Sequence, residues 1–104
     1  MNNFKSVLKL EQLEALTPRR VRIEGKNLVL LRIEEEVFAL EDRCSHEDFP
    51  LSDGWVEEHR LSCAFHGATF DVRTGEPLSL PAYERVKTFP VRVQGGMIEV
   101  NLES

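Results

Sequence analysis

Cys44-Ser45-His46 and Cys63-Ala64-Phe65-His66 are two versions of one short phrase, and they use both cysteines and two of the three histidines in the chain. Four soft or borderline donors in two tight pairs form a ligand set for one metal centre, either a Cys2His2 zinc or a two-iron cluster. Sixteen residues separate His46 from Cys63. A fold that brings both pairs to one object must therefore hold two loops face to face. Two cysteines could also form a disulfide. A thiol two or three residues from a histidine, twice over, reads more economically as a ligand in a reducing compartment.

The chain has 104 residues, enough for one domain with a real core and too few for a second. The expected unit is therefore a single domain over residues 1–104, with its function carried by one site. With 13 Lys and Arg against 18 Asp and Glu, the formal charge is -5. That balance argues against nucleic acid, whose binding relies on clustered cations, and fits partners with basic docking patches. Residues Met1 to Leu10 mix Asn, Lys and Ser with apolar residues and lack the apolar run of a secretory signal. No stretch approaches the roughly 20 apolar residues of a membrane helix. The expectation is a soluble cytoplasmic monomer with no membrane partner.

Strand signals dominate the pattern. Val21 and Ile23 alternate with Arg22 and Glu24, and Asn27 to Ile33 is a β-branched and Leu run that suits burial on both faces. Glu34-Glu35-Glu36 interrupts before Val37-Phe38-Ala39-Leu40, which reads as a hairpin with a solvated tip. From Val86 to Gln94 apolar and polar residues interleave, and Gly95-Gly96 then precedes Met97-Ile98-Glu99-Val100. A Gly-Gly pair between alternating runs is a strong two-residue hairpin signal, because both positions accept positive φ. Asp53-Gly54 and Thr74-Gly75 mark further turns. Leu10, Leu13 and Leu16, stopped by Thr17-Pro18, allow at most a turn or two of helix. Many short strands with close turn signals predict a small all-β antiparallel sandwich or barrel, with the ligand pairs on loops between strands.

In the common zinc finger the two cysteines come first and the two histidines later. Here each half supplies one of each. A two-iron cluster exploits that arrangement by placing both thiolates on one iron and both imidazoles on the other, which is Rieske ligation. Cys-x-His, sixteen residues, Cys-x-x-His resembles the Rieske [2Fe-2S] motif. The likeness extends through Phe49-Pro50-Leu51-Ser52-Asp53-Gly54, His66-Gly67-Ala68-Thr69-Phe70-Asp71, Thr74-Gly75 and Leu80-Pro81-Ala82. Over nearly the whole chain it is similar to the bacterial Rieske ferredoxins, which carry electrons to aromatic-ring dioxygenases and related oxygenases.

That resemblance implies a Rieske-type antiparallel β-sandwich with a cluster-binding subdomain formed by two loops, about 43–51 and 62–70, and a cover loop at about 79–82 containing Pro81. It implies one [2Fe-2S] cluster on Cys44, His46, Cys63 and His66, with no catalytic residues. It implies a one-electron carrier between a flavoprotein reductase and a terminal oxygenase. A small Rieske-like subunit of an assimilatory nitrite reductase is the alternative, and a zinc-stabilised interaction module with no redox role is a third class. Some of the nitrite reductase group lack the ligands, so the presence of all four favours the carrier.

The neighbours refine the expectation. High-potential Rieske proteins of respiratory complexes place Ser and Tyr hydroxyls near the cluster where this chain has Ala68 and Phe70. Without those hydrogen bonds the expected potential falls near the low end of the Rieske range, on the order of -150 mV. The respiratory relatives also join their cluster loops by a disulfide at the positions of Phe49 and Phe65, whose rings are expected here to pack between the loops instead. Gly67 suits a turn that lets backbone amides approach sulfur. Docking is expected near Glu47, Asp48 and Pro81. His59 reads as a surface residue without a role and Trp55 as packing. Tyr83 sits either near the cover loop or at a sheet edge.

Overall fold

The computed structural model describes residues 3–44, 49–64, 67–79 and 84–103. Strand β3 (Lys26–Ile33) is the spine of the molecule. Its apolar residues divide by the strand period of two: Leu28 and Leu30 enter one core, whereas Val29, Leu31 and Ile33 enter another. The run is thus buried on both faces, as its composition predicts.

β3 lies in a four-stranded sheet between β2 (Arg19–Ile23) and β4 (Glu36–Glu41), with β8 (Thr88–Phe89) at the far side of β4. A three-stranded sheet of β1 (Phe4–Lys9), β10 (Met97–Asn101) and β9 (Val91–Gln94) supplies Leu8, Ile98 and Val100 to the first core. A third sheet, of β5 (Trp55–Glu57), β6 (Arg60–Ser62) and β7 (Thr69–Asp71), supplies Leu61 and Phe70 to the second. All strand pairs within these sheets are antiparallel. The all-β antiparallel fold is as expected. The subdomain is more than two loops, because a three-stranded sheet stands between and beside them.

The turns follow local chemistry. Gly95 and Gly96 take φ of 61° and 78° and close the β9–β10 hairpin, with Gln94 opposite Met97. Glu34 and Glu35 form the exposed β3–β4 tip, while Glu36 already pairs with Ile33. Gly54 is required for a different reason: a methyl there would lie 1.8 Å from the Ser62 carbonyl oxygen.

Two expectations change and one is met. The alternating stretch from Val86 to Gln94 is two strands in two sheets, since Pro90 lacks an amide proton to continue a ladder and the chain changes sheets there. The leucine triplet yields one 3-10 turn, Leu10–Gln12, within the turn or two expected. Leu13 is buried after it, but Leu16 turns out to solvent at φ 60°, 52% exposed. Trp55 is 51% exposed rather than packed, because it sits opposite Ser62 on the outer face of its sheet, while Val56, Leu61 and Phe70 form the inner one.

Candidate metal centre

Cys44 lies just beyond the end of β4 and Cys63 directly after β6. The two loops that follow are pinched in the same way. The Cys44 amide donates to the Phe49 carbonyl at 2.8 Å, and the Cys63 amide donates to the Ala68 carbonyl at 2.7 Å. Each bond spans five residues and encloses the histidine of its phrase.

Both thiols are buried, Cys44 at 1% and Cys63 at 0% exposure, in the core they share with Leu51, Ala68 and Phe70. A neutral thiol is at ease in such an interior, but an ionised thiolate is costly there unless a cation compensates it. Two thiols converging on one dry core beside His-bearing loops therefore fit a metal cluster. His46 and His66 lie outside the described residues, as do Phe65, Pro81, Glu47, Asp48, Tyr83 and the rest of 80–83.

Around the thiols, Ala68 and Phe70 are completely buried, and neither side chain can donate a hydrogen bond. Gly67 has φ 69° with open space around it, so the left-handed turn itself is what calls for glycine. Phe49 is 43% exposed as a residue, and its backbone carbonyl closes the first loop; the expected packing of its ring involves Phe65, which lies outside the described residues. His59 is half-buried rather than simply superficial, its ring edge-on to Phe38 at 6.0 Å.

The segment expected to cover the site is held at both ends. Before it, the Leu78 amide donates to the Thr69 carbonyl at 2.7 Å, and the Thr69 amide donates to Ser79 Oγ at 3.1 Å. After it, the Val86 amide donates to the Gly75 carbonyl at 2.8 Å. At the end of β7, Asp71 Oδ1 accepts from the amide and Nε of Arg73 and Oδ2 from Nη2, at 2.9, 3.1 and 3.2 Å. The side-chain bond from Arg73 is the main reason the Asp71 carboxyl is held below its usual pKa range.

One supporting residue was not foreseen from the sequence. Asp42, two positions before Cys44, is a carboxylate buried to 5% exposure. Its Oδ1 accepts from the Ser52 amide at 2.7 Å and its Oδ2 from Ser52 Oγ at 2.6 Å, with Arg20 Nε 3.4 Å away. Nothing in the alternation around Glu41-Asp42-Arg43 marks it, because its partners are distant in sequence.

An all-β domain that buries two thiols in one core, each followed in sequence by a histidine, defines a small metal-centre protein. Comparison with known proteins makes the class specific. The model of the Rieske [2Fe-2S] domain matches residues 3–90. The ferredoxin component of the naphthalene 1,2-dioxygenase system of Pseudomonas aeruginosa is 37% identical over 82 residues, 79% of each chain. Among solved structures, the ferredoxin of carbazole 1,9a-dioxygenase from Nocardioides aromaticivorans IC177 superposes with a TM-score of 0.91 at 31% identity, covering 95% of this chain and 97% of that one. A chain in a complex of reduced oxygenase and oxidised ferredoxin of carbazole 1,9a-dioxygenase gives 0.88 at 31% identity, with 97% and 94% covered. The chain belongs to the Rieske [2Fe-2S] family. Its cofactor is a Rieske-type [2Fe-2S] cluster, and it is an electron carrier.

Proposed function

We propose that this chain is a low-potential Rieske ferredoxin that takes single electrons from a flavoprotein reductase and passes them to a terminal oxygenase. Cys44 and Cys63 would hold the cluster through sulfur, and His46 and His66 through imidazole nitrogen. The bound cluster supplies reversible one-electron storage. The chain supplies a dry pocket for the thiolates, two pinched loops that fix the ligands, and imidazole edges through which the electron leaves. It works as a soluble cytoplasmic monomer.

The observation that carries this reading is the burial of both cysteines in one core, in a chain that matches dioxygenase ferredoxins along most of its length. Ala68 and Phe70 support the low potential, since each is fully buried where a hydroxyl would otherwise stabilise the reduced state. No helix among the described residues is long and apolar enough to cross a membrane, in keeping with a diffusible carrier.

Stopped-flow mixing tests the proposal. Protein reduced by a nicotinamide-linked flavoprotein reductase should be reoxidised within turnover time on meeting an oxidised aromatic-ring oxygenase. Purification from its native host in a tight complex with a large sirohaem subunit would overturn the carrier reading.

A further inference from the structure

The two ligand loops share the same amide-to-carbonyl pinch but are anchored at their outer ends by different means. The second is the loop of an antiparallel pair, so the β6–β7 ladder holds its ends, with Ser62 opposite Thr69. The first has no such ladder among the described residues. It leaves β4, a strand of the central sheet, and arrives at the Leu51–Asp53 turn that leads into β5, a strand of the small sheet. Its ends therefore belong to two sheets that share a core but no ladder, so packing and bonds outside the ladders set how they meet.

We propose that Asp42 is the positioning residue that anchors the first ligand loop outside the Cys44–Phe49 bond and so holds Cys44 toward the cluster. Both of its oxygens are engaged by Ser52, one by the amide at 2.7 Å and one by the hydroxyl at 2.6 Å. This pair joins the residue after β4 to the turn before β5, directly outside the Cys44–Phe49 bond. The carboxylate also meets Arg20 on β2, and the Asp42 amide donates to the Asn27 carbonyl at 2.9 Å on β3. The central sheet thereby holds Asp42, and Asp42 holds the loop. Its side chain has no exposed surface, so water does not substitute readily when it is removed, and the lost bonds carry their full effect.

The inference rests on Cys44 being a ligand, and its test separates the two ideas. Holoproteins would be prepared with Asp42→Ala, Asp42→Asn and Ser52→Ala, with Ile98→Val as a control in the other core. Release of iron to a chelator and the EPR spectrum of the reduced cluster would be followed for each. Asp42→Ala should release iron about tenfold faster or more, the effect of deleting hydrogen bonds to a buried carboxylate, and should broaden the EPR lines as Cys44 samples more than one position. Asp42→Asn should recover most of the retention, because its carbonyl still accepts from the Ser52 amide and its amide nitrogen donates to Ser52 Oγ. Ser52→Ala should fall between, and Ile98→Val should leave release unchanged even where it lowers the melting temperature.

Equal release from wild type and Asp42→Ala, or acceleration by Ile98→Val matching that of Asp42→Ala, would overturn the clamp while leaving the cluster assignment intact. A wild-type protein with no histidine-ligated cluster signal would overturn the ligand reading itself, and the clamp with it.

Discussion

Replacing Gly75 by alanine should be among the most damaging single-methyl changes in this protein. Gly75 follows β7, takes φ +80°, and lies so close to the next segment that a methyl would sit 1.9 Å from the Val86 carbonyl oxygen. An ordinary contact begins at 3.4 Å, so the two backbones must separate by about 1.5 Å, which breaks the Val86 amide to Gly75 carbonyl bond of 2.8 Å. Val86 is buried. The left-handed conformation costs alanine about 1–2 kcal/mol, and a buried amide left without its acceptor costs about 1–3 kcal/mol more. Together they amount to roughly 2–5 kcal/mol, a large part of the 5–15 kcal/mol typical of a domain's whole stability. Gly25 supplies the control. It has the same φ of +80° with nothing within 4 Å, so Gly25→Ala should show the conformational cost alone. Urea unfolding of both holoproteins measures the difference, and equal midpoints would refute the close-approach argument.

Ala68→Ser and Phe70→Tyr should each raise the reduction potential. A new hydrogen bond favouring the reduced state by about 1 kcal/mol corresponds to roughly 40 mV for one electron, and a redox titration showing no rise in either would contradict the assigned positions. Asp71→Asn should lower the melting temperature near neutral pH. Because the folded carboxyl pKa is lowered, its stabilisation is present above the ordinary value of 3.8 and disappears as pH falls through the folded value. The gap between the two melting curves should therefore close in acid. A constant gap would show that the charge of Asp71 is not the cause.

Much of this fold is legible because local chemistry and global packing agree. The Gly95-Gly96 turn, the β3–β4 hairpin and the two-sided burial of Leu28 to Leu31 follow from residue type and period alone. Strand β1 does not, since its pairing with β10 is irregular between Ser6 and Leu8 and its apolar residues never alternate cleanly. Pro90 is visible, but its effect, moving the chain from one sheet to another, depends on which strands are waiting on either side.

The site divides in the same way. Cys44 and Cys63 announce themselves by spacing, and the structure buries both in one core. Asp42 is silent because a buried carboxylate is recognisable only from its partners, and Ser52 and Arg20 lie ten and twenty-two positions away. Phe49 is legible only in part: the structure engages its carbonyl, which residue type does not announce, while its expected ring partner Phe65 lies outside the described residues.

EPR of the dithionite-reduced protein, with parallel analysis of iron, acid-labile sulfide and zinc, tests the central claim most directly. Two irons and two sulfides per chain should accompany a rhombic spectrum whose average g-value falls below that of an all-cysteine [2Fe-2S] cluster, as imidazole ligation to one iron requires. A colourless zinc protein from iron-replete cells, or a spectrum with the all-cysteine average, would contradict the assignment of Cys44, His46, Cys63 and His66 to one Rieske centre.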